Sequence, residues 1–359
     1  MVLFVKIPAA TEGDDATRAP ANPGAMRRGW RRLPGMSGGG LLLAWWVWAS
    51  LGALYLPLPD AGWRVVVVLG VIGLPVAALA WRGTRRPAFG TMAVVCGIVT
   101  IWWGSLEPRN DRDWSPDQAV LPSADWQGDQ VTVRNIRHCE YRAVDDYAVR
   151  FYDATFDLGE LESVWFFVEP FAGYPGAAHT FISFGFRGDR YVAVSVEIRR
   201  ERGEGFSALK GIFKNYELMY VVGDERDLVR LRTDFRNDDV YLYPVEVSEE
   251  RRRDFFREVF EGVNRLRDEP EFYHSVWNTC TTRVVEHVNG LVPGRIPFRW
   301  GIVFPAEADR VAYELGLIAD DLPFEALRER SLINEAAKAD GGSERFSRRI
   351  REHLAGGNP

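Results

Sequence analysis

The sequence has few residues of the kinds that form disulfides or metal sites, since its 359 residues include three cysteines and five histidines. No Cys-x-x-Cys pair occurs, which excludes a dense disulfide framework, and neither a metal site nor a cofactor is expected. An excess of positive charge is also missing. The formal net charge is −6, so the composition gives no sign of a nucleic-acid partner. No internal repeat is visible.

Charge is nearly absent from residues 41–105, where three apolar segments follow one another at 41–58, 63–81 and 88–105. Each has roughly 18 residues and no charge except Arg64 near one end, close to the ~20 residues that cross a hydrocarbon core of about 30 Å. Three such segments in series favour membrane helices over a signal peptide or helices buried in a soluble core. We therefore predict three transmembrane helices over 41–105.

Basic residues on either side of these segments set the orientation. One cluster precedes the first segment and another separates the second from the third: Arg27, Arg28, Arg31, Arg32, Arg82, Arg85 and Arg86. Because Arg-rich segments stay in the cytoplasm, we expect the N-terminus inside a bacterial inner membrane and the chain after Ser105 in the periplasm. Residues 1–40 are predicted to be a disordered cytoplasmic N-terminus holding the basic cluster, with Met26 as an alternative initiator.

The rest of the chain divides into three predicted parts. Residues 106–130 are rich in Pro, Asp and Asn and are predicted to be a linker that lifts a domain off the membrane. Residues 131–339 are predicted to be that domain. Residues 340–359 are charged and Gly-rich and are predicted to be a disordered tail.

Strand patterns come first within 131–339 and helix patterns dominate later. Runs of β-branched and aromatic residues predict strands at 131–141, 147–156, 163–170, 179–186, 191–199, 228–233 and 240–247. Helical spacing occurs at 206–216, and cap residues with apolar stripes predict helices at 248–267, 279–290 and 306–315. This order predicts an α+β domain.

Cys280 is the first candidate for chemistry because it falls in the first turn of a predicted helix. Unpaired backbone N–H groups and the helix dipole at that position lower the pKa of a cysteine and favour the thiolate. The same N–H groups bind an oxyanion when the thiolate attacks a carbonyl. The alternative is a small buried residue that packs the start of the helix.

A thiolate enzyme also needs a base, and the five histidines differ in position. His287 lies about 10 Å along the axis of the same helix and is predicted to be a surface or last-turn residue. His353 lies in the predicted tail, and His274 and His138 are weaker candidates. His179 begins a strand directly after a loop of small residues, a common place for an exposed functional group on a rigid element.

A carboxylate would orient the imidazole, and Glu197 on the next strand is the candidate. The turn at 188–189 decides whether it faces the histidine. A two-residue loop pairs Glu197 with Thr180, on the wrong face. A three-residue loop pairs it with Phe181, diagonally beside His179. The alternative is that Glu197 belongs to a solvated strand end.

These residues lie in a stretch, from about 134 to 317, that resembles the periplasmic domain of the Lnb family of bacterial lipoprotein N-acyltransferases. The resemblance is carried by an ordered series of segments at 141–142, 149–153, 178–186, 194–199 and 277–282. It covers about half of the chain and nearly the whole water-facing part. One departure is that the membrane helices here precede the domain.

The resemblance implies a circularly permuted papain-like fold of the NlpC type, with an antiparallel sheet and with the histidine strand before the cysteine helix. It implies that Cys280 is the nucleophile, that His179 is general base and acid, and that Glu197 or Ser195 orients the histidine. It also implies a set of substrate-binding residues: Ser195, Tyr141, Arg142 and Asn278.

Three functional hypotheses follow. The first is a thiol acyltransferase of the inner membrane that moves an acyl chain from a phospholipid, through a thioester, to an amine such as a lipoprotein N-terminus. Segments 164–167 and 206–216 would then form an acyl groove. The second keeps the nucleophile but makes the enzyme a cell-wall amidase or peptidase. The third is a non-catalytic, membrane-anchored assembly domain in which Cys139 and Cys280 form a disulfide.

Overall fold

A computed structural model describes residues 38–55, 60–82, 85–171, 173–174, 176–319 and 321–354. Nearly all of the predicted disordered N-terminus, with its basic cluster and Met26, therefore lies outside the described residues. The described residues begin with three helices, α1 Gly38–Tyr55, α2 Ala61–Arg82 and α3 Arg85–Ser105.

Two of these helices are long and apolar enough to cross a membrane, Gly38–Tyr55 and Pro87–Ser105. The middle helix, Ala61–Arg82, contributes a shorter apolar stretch among the described residues, Gly62–Ala78. The prediction of three full-length spans is therefore correct for two of the described helices only.

The three helices pack into one small bundle. Ala49, Ala53 and Cys96 are fully buried in it, and small residues at such contacts let helix backbones approach closely. Trp46 Nε1 donates a hydrogen bond to Val71 O at 2.8 Å, and Trp45 Nε1 donates to Thr100 Oγ1 at 3.0 Å. The first helix is thereby joined to both of the others.

The domain that follows is built on one eight-stranded sheet. Its strands are β1 Ser123–Gln127, β2 Gln130–Tyr141, β3 Tyr147–Asp157, β4 Leu161–Pro170, β5 Ala178–Phe186, β6 Arg190–Arg199, β7 Glu217–Gly223 and β8 Tyr241–Pro244. Their order in space is β1-β2-β7-β6-β5-β4-β8, with β3 paired to β2. All the pairs are antiparallel except β2 with β7. All nine residues of β5 are buried, so both faces of this central strand are covered.

Helices cover the sheet: α4 Ala208–Ile212, α5 Glu225–Arg230, α6 Glu249–Asp268, α7 Cys280–Leu291, α8 Trp300–Val303, α9 Ala308–Glu314, α10 Phe324–Arg330, α11 Asn334–Asp340 and α12 Phe346–Arg349. Ser248 caps α6 as predicted, because its side chain accepts a hydrogen bond from the N–H of Arg251. Phe256 and Phe260 of this helix pack on Phe184 of β5. The mixed α+β class is confirmed.

The predicted strand at 228–233 is wrong. The chain there forms α5, which is capped by the Asp224 side chain accepting a hydrogen bond from the N–H of Arg226, and then a π-helical turn, Leu231–Arg236. Leu228 and Val229 are fully buried. A short apolar run of this kind fits a buried helix as well as a strand, and periodicity alone does not separate the two.

The predicted linker at 106–130 is also wrong. The N–H of Arg109 donates to Glu217 Oε1 at 3.2 Å, and Asn110 Nδ2 donates to Arg267 O at 2.9 Å. Trp114 is buried beneath the guanidinium of Arg199, 4.2 Å from the ring centroid. The chain is therefore bound to the domain from four residues after the end of α3, and it supplies β1 to the sheet.

The predicted disordered tail packs against the domain instead, as far as residue 354. Phe346 and Ile350 are fully buried, and Arg351 forms a buried ion pair with Glu225 at 2.5 Å. Charged residues surround these apolar positions in the sequence, so the composition of the segment did not indicate that they are buried. Residues 355–359 lie outside the described residues.

The segment from α4 to β7 joins the domain to the helix bundle. Phe213 stacks on Tyr55 near the end of α1, with ring centroids 6.1 Å apart, and lies 5.8 Å from Trp48. Lys214 Nζ donates hydrogen bonds to two carbonyl groups at the end of α3, Trp103 O at 3.1 Å and Leu106 O at 3.3 Å. The last turn of a helix has free carbonyl groups and a partial negative charge, which a lysine complements. The ends of α1 and α3 therefore both face the domain.

Candidate active site

Helix α7 presents Cys280 at its first position. Thr279 caps the helix: its Oγ1 accepts a hydrogen bond from the N–H of Thr282, and the Thr282 hydroxyl accepts one from the N–H of Thr279 at 2.7 Å. The described residues provide no acceptor for the N–H groups of Cys280 and Thr281. These two donors are thus free to bind an oxyanion that forms beside the sulfur.

His179 stands at the start of β5, and its ring is held on one side by two residues of β6. Its Nε2 donates to Ser195 Oγ at 2.7 Å and lies 3.2 Å from Glu197 Oε1. Ser195 Oγ in turn donates to Glu197 Oε1 at 2.8 Å. The Cys280 thiol also lies beside the His179 ring, close enough for each group to shift the other's pKa.

The turn between β5 and β6 sets this arrangement. Its loop has three residues, 187–189, as in the second of the two predicted alternatives. The loop begins one residue earlier along the chain than that alternative requires, so Phe181 pairs with Ser195 instead of Glu197. The same register continued by two residues places Glu197 opposite His179 rather than diagonally beside it. Glu197 therefore lies on the predicted face of β6, beside His179. Its partner on β5 is His179 itself and not Phe181, the predicted partner two residues away.

Cys280 and His179 shift each other's pKa. Burial raises the pKa of the Cys280 thiol, but the charge and hydrogen bond of His179 and the N–H of Thr180 outweigh it and lower the pKa to about 7. Burial lowers the pKa of His179, yet the negative charges of Glu197 and Cys280 raise it to about 10. Between these two values the pair is a thiolate beside an imidazolium, which is the reactive form of a cysteine nucleophile.

A buried arginine lies behind Glu197, and sequence reasoning missed it. Arg232 Nη2 donates to Glu197 Oε1 at 2.9 Å, and its Nε donates to Glu169 Oε2 at 2.5 Å. Burial raises the pKa of Glu197, but His179 and Arg232 hold it well below its usual range. Glu169 could have indicated a buried basic partner, because it is the one carboxylate in the second half of an otherwise apolar strand.

The site opens into a cavity of about 590 Å³. His179, Glu197 and Cys280 lie in its wall. Apolar side chains such as Phe206, Tyr174 and Leu231 and guanidinium groups such as Arg200 and Arg236 make up other parts of it. The cavity therefore suits a ligand with both an apolar part and a polar part.

The four residues predicted to bind substrate lie in different environments. Tyr141 lines the cavity, but its hydroxyl donates to Asp227 at 3.1 Å. Ser195 is fully buried between His179 and Glu197 and is placed to orient the ring. Arg142 is exposed and paired with Asp146 within its own turn. Asn278 supports the neighbouring chain by accepting from Arg283 Nε at 2.7 Å. Arg142 and Asn278 do not line the cavity, whereas Tyr141 does.

Among the described residues, His179 is the one histidine that lines the catalytic cavity. His287 is buried rather than on the surface, with its Nε2 2.6 Å from Tyr220 Oη and its Nδ1 3.4 Å from Glu258 Oε1. His274 stacks on Trp277 with ring centroids 4.4 Å apart. His138 lies on β2, 3.9 Å from Asp224.

The described residues contain no disulfide, and all three cysteines are free. Cys139 lies on β2, where its N–H donates to Asp227 Oδ2 at 2.8 Å. Burial and the nearby Asp227 charge raise the pKa of the Cys139 thiol to about 12. The environment of Cys139 thus raises the pKa of its thiol, whereas that of Cys280 lowers it. Cys139 is therefore held in the unreactive, protonated form.

A second cavity, of about 440 Å³, lies along the other side of α7 and is mostly apolar. Its wall includes Thr281, whose Oγ1 is 3.0 Å from Thr180 Oγ1. Of the residues predicted to form an acyl groove, Phe166 lines this second cavity and Phe206 lines the catalytic one. Val164 and Phe167 are core residues.

The rate at which iodoacetamide alkylates Cys280 is expected to reach half its maximum near pH 7, because only the thiolate reacts. The rate falls below this pH as the thiol is protonated. His179→Ala removes the largest effect that lowers this pKa and leaves burial opposed only by the hydrogen bonds of Thr180 and Thr281, so the midpoint should rise towards the ordinary value of 9.0. The thiolate population at pH 7 should then drop by up to about fiftyfold. Mass spectrometry of the Cys280 peptide gives the rates, and an unchanged midpoint in His179→Ala would contradict the pairing.

Comparison with known proteins identifies one related family. Residues 147–306 match the family model described as the Lnb N-terminal periplasmic domain, a stretch that includes His179, Glu197 and Cys280. Neither a curated protein nor a solved structure matches the chain.

Proposed function

We propose, on the premise that this chain contains an Lnb-type periplasmic domain, that it is a membrane-anchored thiol acyltransferase. It would move an acyl chain from a phospholipid, through a thioester on Cys280, to an amine such as the N-terminus of a lipoprotein. The observation that carries this proposal is that Cys280, His179 and Glu197 lie together in the wall of one cavity, with the His179 ring 3.2 Å from Glu197 Oε1 and Cys280 near enough to raise the pKa of the ring. A cysteine, a histidine and an orienting carboxylate are the groups that acyl transfer through a thioester needs.

The first half of the reaction follows from these positions. The Cys280 thiolate attacks the ester carbonyl carbon, and a C–S bond forms while the carbonyl oxygen takes negative charge. The N–H groups of Cys280 and Thr281 stabilise that oxyanion. The C–O bond then breaks, and the His179 imidazolium gives its proton to the departing alcohol oxygen of the lysophospholipid.

The second half runs in the reverse sense with a different nucleophile. The amine attacks the thioester carbonyl, and neutral His179 takes a proton from the attacking nitrogen. The C–N bond remains when the C–S bond breaks, which returns the thiolate and the imidazolium. Glu197 stays ionised throughout, because His179, Ser195 and Arg232 stabilise its charge, and it fixes the orientation of the ring.

The helix bundle supports a periplasmic location for the site. The ends of α1 and α3 both face the domain, and α2 runs between them with short connections. Three passes through the inner membrane, of which α2 has the shortest apolar stretch, would leave the domain on the side opposite the N-terminus. The arginines before α1 and those at the end of α2 and the start of α3 fit a cytoplasmic location for these parts of the chain.

The experiment is to incubate the purified full chain, held in nanodiscs, with phospholipid and then to digest it. We expect the Cys280 peptide to carry one acyl chain that neutral hydroxylamine removes. A lipopeptide with a free N-terminal amine should discharge the thioester and gain the chain as an amide, faster than water does. Failure to acylate Cys280, together with cleavage of a cell-wall muropeptide, would refute acyl transfer and favour the amidase.

A further inference from the structure

Exposed aromatic side chains are concentrated on one part of the domain. Seven tyrosine, phenylalanine and tryptophan residues beyond α3 are substantially exposed among the residues described, and Tyr152 stands apart on β3. The other six, which we call the aromatic rim, are Tyr174, Phe206, Trp277, Phe298, Trp300 and Phe304. Large exposed apolar groups that cluster in this way mark a contact surface.

The aromatic rim is connected to the mouth of the catalytic cavity. Tyr174 and Phe206 are part of the cavity wall. The N–H of Ala306 donates to Gly176 O at 3.2 Å, which holds the Phe304 segment against the loop that carries Tyr174. Trp300 packs on Phe304 with ring centroids 6.1 Å apart, and it is 70% exposed.

The same surface is continuous with the end of the helix bundle. Phe206 directly precedes Ser207, the cap of α4, and the end of α4 leads to Phe213 and Lys214 on the ends of α1 and α3. Ser275 Oγ donates to Ala208 O at 2.7 Å, which ties the turn carrying Trp277 to α4. The rim thus starts where the helices of the bundle end.

We propose that the aromatic rim lies in the headgroup region of the bilayer that holds the helices, so that the catalytic cavity opens directly onto the lipid. Tryptophan and tyrosine rings favour this layer, because one part of each ring system is apolar and another is polar. The donor phospholipid then enters from the membrane without exposing its acyl chains to water. This entry route rests on the proposed acyl transfer, whereas the membrane contact of the rim does not.

The contact is tested by fluorescence quenching of the full chain in nanodiscs. The difference in quenching between the wild type and Trp300→Phe isolates the signal of Trp300. We expect phospholipids brominated near the headgroup to quench Trp300 and aqueous iodide to leave it largely unquenched. Quenching by iodide and not by brominated lipid would overturn the proposal. This readout does not require any acyl transfer.

The entry route is tested by a rim variant, Phe298→Ser/Trp300→Ser, against a matched control, Tyr152→Ser/Leu332→Ser, which removes two exposed apolar groups elsewhere. Acylation of Cys280 from bilayer phospholipid should fall about tenfold in the rim variant alone. Alkylation of Cys280 by iodoacetamide should be unchanged in both variants, which shows that the site is intact. Equal acylation rates in both variants would overturn lipid entry at the rim. Absence of acylation in the wild type, with Trp300 still quenched by lipid, would refute the proposed function and leave the membrane contact standing.

Discussion

Cys280→Ser is expected to reduce acylation of the protein by phospholipid at least about a thousandfold, because a hydroxyl in this position lacks the ionised sulfur that makes the attack possible. Serine is close to cysteine in size, and the capping box that starts α7 belongs to Thr279 and Thr282. The fold should therefore be preserved. The measurement is the amount of hydroxylamine-sensitive acyl chain on the protein, with circular dichroism as the check on folding.

The matched control is Cys139→Ser, which removes the other thiol of the domain. Cys139 is buried and its pKa is raised to about 12, so it is a protonated thiol at neutral pH. Acylation should continue at the wild-type rate in this variant. A thioester that survives in Cys280→Ser and disappears in Cys139→Ser would show that the nucleophile has been assigned to the wrong cysteine.

Arg232→Met is expected to lower the free energy of unfolding of the domain by about 3–5 kcal/mol, because it removes one partner from a buried ion pair and leaves the carboxylate behind. Glu169, the carboxylate concerned, is completely buried. For a domain of this size the thermal midpoint should fall by roughly 6–20 °C. Differential scanning fluorimetry of the full chain in nanodiscs measures this shift.

Arg236→Met provides the control, since Arg236 also approaches Glu169, at 3.6 Å, but is 37% exposed. Its loss should cost less than about 1 kcal/mol. Adding Glu169→Gln to Arg232→Met should recover much of the stability, because the buried charge disappears with its partner. Equal losses in Arg232→Met and Arg236→Met would show that Arg232 does not stabilise the domain through its buried pairing.

Local patterns in the sequence were sufficient for part of the site. The capping residues before Cys280 act over three or four positions, so the start of α7 and the place of the cysteine in its first turn could be predicted. Strand alternation likewise placed Ser195 and Glu197 on one face. The exact partner of Glu197 could not be predicted, because it depends on where a three-residue loop begins, and a shift of one residue there changes the pairing by two.

Other parts of the structure depend on contacts that are distant along the chain. The ion pair between Glu169 and Arg232 joins residues 63 positions apart, and nothing local to either one predicts it. The buried position of Phe346 similarly depends on a surface made by other elements. Composition alone predicted a flexible linker and a disordered tail, because it cannot show which few residues of a polar segment contact the rest of the domain.

The direct attachment of the domain to α3 limits where substrates can be met. Lys214 binds the last carbonyl groups of that helix, and the chain is bound to the domain again from Arg109. Because no flexible linker separates the domain from α3, the domain cannot move far from the membrane surface. For the proposed reaction, donor and acceptor must both arrive by lateral diffusion within the membrane plane. Turnover should then depend on their surface density in that plane and hardly at all on the volume of solution around it.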